Sequence, residues 1–458
     1  DNFILDSMDN GIYGWDGDIT AYGNYIAGNN VLGIGGDRNP SGAPGTGYGS
    51  NIVARYNTIL NNDNGAIGID GNSRLLAEFN ILGNVAGTAE PASLIFYHPS
   101  DRSKVGASMV GRSKNIIFRN NACFRGKTKN IMIFDINKSA EIGPISLENL
   151  IVTGANEEGL YVDNALDQLS VARSAFFGNM KSPLFANSQA FIYQNTTAVF
   201  SKCSFQLGTA TAYLRSFAQQ SDARNCYWGS PSGPSNPATT LPKVAYKPYL
   251  ASSKVEGFIQ EGFNSIPSGA KHVLQSSFAD SYNCRINAAL KSPVKNAVIG
   301  MAHYRESPQV HPPADAIRFL DIWLDSRIWL NAESVKIAIL MPTAEMPISY
   351  TPKVYEFDER TDTWNSKTFN ESAPEGSFRV LNLTYQSPAE MKIAGTLAVG
   401  YTVAVTPTPT PPPPTPTPPP TPTATPAQTI YVTGKITDFQ TGKPVNGATA
   451  QIDGGFLR

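Results

Sequence analysis

Charged side chains are scarce in this sequence, and their scarcity limits the partners that the chain can bind. Lys, Arg, Asp and Glu make up 16% of the 458 residues, against about a quarter in an average globular protein. The formal net charge is −1, so the sequence lacks the basic excess that nucleic acids and anionic membrane surfaces attract. No apolar run approaches the roughly 20 residues of a membrane span. The composition argues against nucleic acid as a partner and against a membrane span in this fragment.

Cysteine and histidine are also rare, with four residues of each type. The cysteines form no C-x-x-C pair and the histidines are scattered, so neither type shows the spacing of a zinc site. We expect buried or incidental thiols at Cys123, Cys203, Cys226 and Cys284.

A repeated segment occupies the first half of the sequence. It reads N-Y-I-A-G-N from Asn24, N-T-I-L-N-N from Asn57 and N-C-Y-W-G from Asn225, with five further copies in between. Successive copies lie 22 to 41 residues apart, which is the length of one solenoid coil with insertions in the longer intervals. The Gly and β-branched content and the period-2 runs exclude helical repeats.

Strand alternation assigns the side chains of this repeat to the inside or the outside of the solenoid. We call the first residue of each copy its frame residue. Side chains alternate along a strand, so the residue two positions further on points to the same side as the frame residue. These residues are apolar and predict one core column: Ile26, Ile59, Leu82, Cys123, Ile151, Phe176, Phe205 and Tyr227. The frame residues should face inward at a turn, where each amide can bond the Asn one coil away. This predicted asparagine ladder contains Asn24, Asn57, Asn80, Asn121 and Asn149.

The end of the repeat region carries a specific resemblance. N-C-Y-W-G-S-P-S-G-P at Asn225–Pro234, followed by V-A-Y-K-P-Y-L at Val244–Leu250, closely resembles the end of many pectate-lyase-like β-helix domains. The resemblance implies a right-handed parallel β-helix over residues 1–250, with a connector at 251–265. It implies the fold and not an activity.

A second register predicts a column of acidic residues beside the core. Residues 10–17 read N-G-I-Y-G-W-D-G and match residues 64–71, N-G-A-I-G-I-D-G, almost residue for residue. In later strands an Asp, His or Asn occupies the position of the Asp in these segments. The expected members are Asp16, Asp37, Asp70, His98, Asp135, Asp163 and Asn187. Carboxylates about 4.8 Å apart repel one another unless they are protonated, solvated or bridged by a cation. The aspartates are therefore candidate ligands for Ca²⁺, which favours hard oxygen donors; the alternative is that they only cap turns.

No motif in the sequence identifies a catalytic residue. The G-H-G, N-T-D and R-I-K motifs of polygalacturonases are missing. Asp101, Arg102 and Lys104 could form a lyase-like cluster, although charges on loops are commonly just solvated. Whether the chain is an enzyme stays open, and a polysaccharide lyase, hydrolase or epimerase would be the class.

Residues 266–405 have a different pattern, of alternating strands without the asparagine repeat. This spacing predicts a β-sandwich, and the series resembles sandwiches found behind β-helices in archaeal and bacterial surface proteins. Trp323 and Trp364 are candidate sugar-stacking residues, with core packing as the alternative.

The last part of the sequence is modular. Residues 406–428 are almost entirely Pro, Thr and Ala, and such a Pro/Thr-rich linker adopts polyproline II and reaches roughly 70 Å. Residues 429–458 resemble the start of a carboxypeptidase-regulatory-like domain, a partial second β-sandwich. The predicted fold class is all-β: a right-handed parallel β-helix solenoid, then a β-sandwich, the linker and this partial domain.

This organisation is typical of extracellular or cell-surface proteins, and we expect the sequence to be part of a longer chain. One hypothesis is a structural or adhesive protein that contacts other copies of itself through strand edges, as in a surface layer or filament. The alternative is a β-helix protein that binds or cleaves an extracellular polysaccharide in the manner of a lyase or epimerase.

Overall fold

A computed structural model describes most of the chain up to residue 403. The described residues are 2–403 without 16, 38–49, 64, 70–73, 84–91, 97–115, 127–128, 135–144, 164–168, 180–187, 193–197, 209, 217–220, 238–240, 242, 254, 267–268, 276–282 and 387–393. For some strand residues, including Asp37 and Asp163, only the backbone is described. The predicted linker at 406–428 and the predicted partial domain at 429–458 lie outside the described residues.

Three parallel sheets build the first half of the molecule, and the chain visits them in turn once per coil. Sheet A has short strands: β1 (Phe3–Leu5), β4 (Tyr25–Ala27), β7 (Thr58–Leu60), β10 (Ile81–Gly83), β13 (Ala122–Phe124), β16 (Ile151–Thr153), β19 (Ala175–Phe177) and β22 (Ser204–Phe205). Sheet B contains β2 (Ile12–Trp15), β5 (Leu32–Asp37), β8 (Gly65–Ile69), β11 (Ala92–Phe96), β14 (Ile131–Phe134), β17 (Leu160–Asp163), β20 (Ser188–Ile192) and β23 (Ala212–Ser216). Sheet C contains β3 (Asp18–Tyr22), β6 (Asn51–Arg55), β9 (Arg74–Glu78), β12 (Ile116–Arg119), β15 (Ile145–Glu148), β18 (Leu169–Ala172), β21 (Ala198–Ser201), β24 (Ser221–Asp222) and β25 (Val244–Ala245). The predicted parallel β-helix is confirmed.

The core column follows the prediction for its first four predicted members. Ile26, Ile59, Leu82 and Cys123 pair in register and are fully buried. The fifth member is wrong by one residue, because Cys123 pairs with Val152 and not with Ile151. At the last coil Ser204 pairs with Tyr227, so the buried partner of Phe205 is Trp228 and not Tyr227. The indole of Trp228 stacks on Phe205, with ring centroids 4.9 Å apart.

The asparagine ladder is confirmed for four of its five predicted members. In Asn24, Asn57 and Asn80, the backbone N–H and Nδ2 both donate to Oδ1 of the Asn in the next coil, over 2.8–3.0 Å. Each ladder amide therefore satisfies buried backbone in the neighbouring coil, a role that an apolar side chain cannot fill.

Asn149 does not belong to this ladder. Ala122 pairs with Ile151, which places Leu150 opposite Asn121 and puts Asn149 one residue earlier. There its φ is +50°, matching the φ of +55° at Asn120 one coil before. Asparagine suits both the ladder position and this left-handed turn position, so the sequence alone assigned it to the wrong one.

The second half is a sandwich of two antiparallel sheets. The inner sheet contains β26 (Val255–Ile266), β29 (Val294–Tyr304), β30 (Ala316–Leu324), β36 (Ala394–Val403), β32 (Tyr350–Asp358) and β33 (Thr363–Lys367). The outer sheet contains β27 (Gly269–Gln275), β28 (Asn283–Leu290), β31 (Ala332–Pro342), β35 (Phe378–Tyr385) and β34 (Asn370–Glu375). Helix α1 (Ser326–Asn331) joins β30 to β31. Since β26 begins at Val255, the sandwich starts inside the segment expected to be a connector.

The inner sheet packs against the outward face of sheet A. Tyr25, Phe79 and Phe124 from the solenoid share one apolar cluster with Phe319 and Trp323 from the sandwich. Hydrogen bonds cross the same contact: the Trp323 indole N–H donates to the Asn120 carbonyl over 2.9 Å. The sandwich therefore covers sheet A, and its Arg360 and Asp362 also reach Tyr22 and Arg119 at the ends of sheet C strands.

Candidate functional site

The outward face of sheet C carries a column of charges that alternate in sign. Arg55, Glu78, Arg119 and Glu148 occupy successive coils in register. Glu78 is completely buried and accepts from Arg55 over 2.6 Å and from Arg119 on its other side. Opposite charges one coil apart attract, so this column stabilises the stack. Its charged groups already have ion-pair partners, since Glu148 pairs with Arg173 and Arg119 also lies near Asp362, which makes the column a poor place for a ligand.

Two members of the predicted acidic column lie on strands whose backbone is described. Asp37 pairs with Trp15, and Asp163 pairs with Phe134. Asp16, Asp70, His98, Asp135 and Asn187 lie outside the described residues, as do the side chains of Asp37 and Asp163. No group of His, Cys, Asp and Glu able to hold a metal ion occurs among the residues that the structure describes. Calcium binding by the five aspartates stays a prediction.

The two candidate sugar-binding tryptophans lie in or beside the contact between solenoid and sandwich. Trp323 has no exposed surface, so it cannot stack on a ligand without the two parts separating, and core packing is the use that the geometry favours. Trp364 is partly exposed, packs 5.9 Å from the Phe319 ring, and donates its indole N–H to the Val310 carbonyl over 3.0 Å. Only Trp364 keeps a surface that a ligand could reach.

Sheet B presents a different outward column, which contains aromatic rings. Met132, Tyr161, Phe191 and Arg215 occupy successive coils in register. The rings of Tyr161 and Phe191 are stacked, with centroids 5.5 Å apart and planes inclined by 6°. Strand alternation explains their position, because the neighbouring residues Leu160 and Val162 point into the core.

Charged residues border this aromatic pair on the turns that lead into β14 and β17. The Lys129 ammonium lies 4.8 Å from the centre of the Tyr161 ring and forms an ion pair with Glu157. The same ammonium is 3.7 Å from Glu158 Oε2. These groups form a compact set of one cation and two carboxyl groups beside an aromatic surface.

A buried amide network fixes the turns that hold these charges. Asn130 donates its backbone N–H to the Glu158 carbonyl over 3.3 Å and its Nδ2 to Asn179 Oδ1 over 3.0 Å. Asn179 in turn donates to Gln189 Oε1 over 2.9 Å. This is a second amide ladder. It follows the C-terminal ends of the sheet A strands, whereas the predicted ladder precedes their N-terminal ends. The Asn at the end of segments such as A-F-F-G-N was the sequence signal for it.

Burial raises the pKa of the Glu158 carboxyl above its ordinary value, and the nearby Glu157 raises it further, while Lys129 lowers it. The Glu158 side chain is only 2% exposed, and its Oε2 has no hydrogen-bond partner among the described residues. Glu158 is therefore a carboxyl group that retains its proton more readily than an ordinary glutamate, in contact with a lysine.

Arg215 ends the column with a second cation. Its Nη2 donates to Thr211 Oγ1 over 3.2 Å, while its buried Nε has no hydrogen-bond partner within the described part of the chain. We call this set the sheet B ridge: Lys129, Glu157, Glu158, Tyr161, Phe191 and Arg215. Sequence reasoning missed it, although adjacent glutamates in a sequence so poor in charge were a usable signal.

Comparisons with known proteins find only distant structural similarities. No family model matches the chain, and no curated protein matches it. A mutant of the periplasmic alginate epimerase AlgG is similar over 48% of this chain and 46% of its own, at 12% identity and a TM-score of 0.34. The chain thus spans about half the length of that protein.

Two tailspike structures are also similar. The Dettilon tailspike protein matches over 86% of this chain and 68% of its own, at 11% identity and a TM-score of 0.26. The phiAB6 tailspike, in complex with oligosaccharides of Acinetobacter baumannii surface polysaccharide, matches over 81% and 78%, at 10% identity and a TM-score of 0.20. At these values the likeness carries no argument about activity. Within the described residues, no helix is long and apolar enough to cross a membrane.

Proposed function

We propose that this chain is an extracellular or cell-surface protein whose β-helix binds a polysaccharide along the sheet B ridge. The observation that carries the proposal is the partly exposed ring of Tyr161 on sheet B, which stacks on the buried ring of Phe191, lies beside Lys129 and belongs to the column that ends in Arg215. Sugar rings offer apolar C–H faces bordered by hydroxyl groups, and an aromatic surface with a few convergent polar groups is complementary to them.

The geometry of the ridge suits an extended ligand. Tyr161, Phe191 and Arg215 belong to a sheet B column that begins at Met132 and repeats once per coil along the solenoid axis, so its four positions span roughly 14 Å. That distance matches a short oligosaccharide lying along the axis. Polysaccharides are also what the names of the alginate epimerase and the phiAB6 tailspike specify for those two proteins.

Glycan-array binding tests this function directly. We expect the unmodified chain to bind one class of polysaccharide on the array. Tyr161→Ala and Arg215→Ala should each weaken that binding about tenfold. Lys336→Ala is the matched control, because Lys336 is an exposed lysine on the outer sheet of the sandwich. Equal binding by all four proteins, or no binding to any acidic or neutral polysaccharide, would contradict the proposal.

Cleavage is a separate question that the same variants address. A lyase would release unsaturated products with ultraviolet absorbance, and a hydrolase would release reducing ends. If either activity occurs at the ridge, Glu158→Gln should abolish it while binding survives, because the raised pKa of Glu158 makes it the proton carrier of the cluster. Activity that survives in Glu158→Gln would exclude that role.

Self-association is a second candidate, supported by the first coil of the structure. Within the described residues, the strands β1, β2 and β3 pair with β4, β5 and β6. Phe3, Leu5, Met8 and Tyr13 on this coil are exposed apolar side chains. Exposed apolar side chains that lie close together tend to associate, so another copy of the chain could dock here.

Light scattering tests this second candidate. We expect Leu5→Lys to shift an associated form towards monomer, since Leu5 is half-exposed and its replacement leaves the core intact. A monodisperse monomer at high concentration for both proteins would refute self-association and would leave polysaccharide binding unaffected.

We further infer that residues 406–428 act as an extended spacer and that 429–458 begin a second sandwich.

A further inference from the structure

A cavity of about 510 Å³ lies between strand β1 and the part of the sandwich where β29 and helix α1 meet. This volume is within the range of about 300–1,000 Å³ that is usual for small-molecule sites. The cavity is distant in sequence from the sheet B ridge and shares no residue with it. None of its lining residues has a role in the polysaccharide binding proposed above, and one of them, Phe3, is among the exposed residues named for self-association.

The apolar lining of the cavity comes from both parts of the molecule. Phe3 on β1 contributes its ring, which is 57% exposed, and the sandwich contributes Pro293 and Leu330. An exposed phenylalanine beside a cavity offers a flat apolar surface, to which the apolar face of a ring-shaped ligand is complementary.

Two polar residues of the lining are oriented by each other. Ser292 Oγ donates to Asn331 Oδ1 over 3.1 Å, and Asn331 Nδ2 donates back to the Ser292 carbonyl. A primary amide has two N–H groups and two acceptor positions. After these bonds Asn331 retains one donor and one acceptor, which is the pair that a ligand hydroxyl group can satisfy.

Charge in the lining is positive by one unit. Arg327 is held against Asp325, with Nη2 2.7 Å from Oδ2, and its guanidinium lies 3.9 Å from the centre of the Tyr25 ring. Asp325 thus neutralises Arg327, whereas the exposed Lys295 has no ion pair among the described residues. Lys295 is the cation available to an anionic ligand.

We propose that this cavity binds a sugar acid: a ring with an apolar face, hydroxyl groups and one carboxylate. The ring lies against Phe3, the carboxylate pairs with the Lys295 ammonium, and a hydroxyl group bonds the Asn331 amide. A neutral sugar lacks the carboxylate that pairs with Lys295, and a simple carboxylate lacks the ring that lies against Phe3. Both should therefore bind more weakly than a sugar acid.

Ligand-observed NMR with three probes tests the site: glucuronate, glucose and acetate. We expect glucuronate to bind with the highest affinity. Lys295→Ala should weaken its binding by up to about fivefold, the upper end of the range for an exposed ion pair, and Lys295→Glu should abolish it. Phe3→Ala should weaken both glucuronate and glucose, since it removes the surface for the ring.

The controls separate this site from the ridge. Tyr161→Ala removes a ridge residue and should leave glucuronate binding unchanged, and Lys336→Ala should do the same. Equal affinity for glucose and glucuronate, an effect of Tyr161→Ala as large as that of Lys295→Ala, or no binding of glucuronate would each overturn the proposal. The Phe3 and Lys295 variants should retain the melting temperature of the unmodified chain, because both residues are exposed.

Discussion

Asp321 is a buried carboxyl group at the contact between the solenoid and the sandwich. It lies on β30 with no exposed surface and accepts from the Tyr304 hydroxyl over 2.9 Å and the Thr396 hydroxyl over 2.5 Å. Gln309 Nε2 donates both to Thr396 Oγ1 over 2.8 Å and to Asn120 Oδ1 on the solenoid over 2.9 Å. Burial raises the pKa of Asp321 from 3.8 to about 7, and the two hydroxyl bonds offset only part of this effect.

The direction of the resulting pH dependence follows from proton uptake. Between about pH 4 and pH 7 the folded state holds a proton on Asp321 that the unfolded state has lost. The free energy of unfolding therefore falls as pH rises through this window. The favourable contribution is complete below about pH 4 and lost above about pH 7. A shift of about three pKa units corresponds to about 4 kcal/mol.

Asp321→Asn removes this titration while keeping the shape of the side chain. An asparagine amide can accept from Tyr304 and donate to Thr396, so the variant should be as stable as the unmodified chain below about pH 4. At pH 8 we expect it to be more stable, by up to about 4 kcal/mol. Urea unfolding at several pH values measures this, with tryptophan fluorescence reporting on Trp323 in the same contact.

Glu333→Gln is the control for this experiment, because Glu333 is an exposed acid on the outer sheet. Its stability difference from the unmodified chain should not vary between pH 5 and pH 8. The reasoning about Asp321 is refuted if the Asp321→Asn difference is likewise the same at both pH values.

Three further predictions concern the solenoid. Asn80→Leu should cost about 1–3 kcal/mol in urea unfolding, because it leaves buried donors of Asn57 unpaired; an unchanged midpoint would contradict the ladder. Glu78→Gln should cost about 2 kcal/mol or more, since it leaves two arginines without their partner, and equal stability would show that the pairs contribute nothing. EDTA should leave the melting temperature unchanged if the predicted aspartates only cap turns; a decrease that Asp135→Ala abolishes would establish calcium binding.

Local sequence patterns were sufficient for the architecture. Coil length, period-2 alternation and the inward asparagines are properties of single strands and turns, so they predicted the parallel β-helix, most of its core column and four ladder residues. The strands of the sandwich followed from the same alternation. Because these signals are local, they persist whatever the rest of the chain does.

Tertiary structure decided the register, the covered face and the candidate sites. Register depends on the length and path of each turn, which explains why Leu150 took the ladder position in place of Asn149 and why Trp228 is buried where Tyr227 was expected. The solenoid face that is covered depends on where the sandwich packs, and this packing buries Trp323. The sheet B ridge joins Lys129, Tyr161 and Arg215, residues from different coils that are neighbours only because the chain returns to the same sheet once per coil. A sequence specifies such neighbours only through the stacking of its coils, and the stacking is a property of the folded chain.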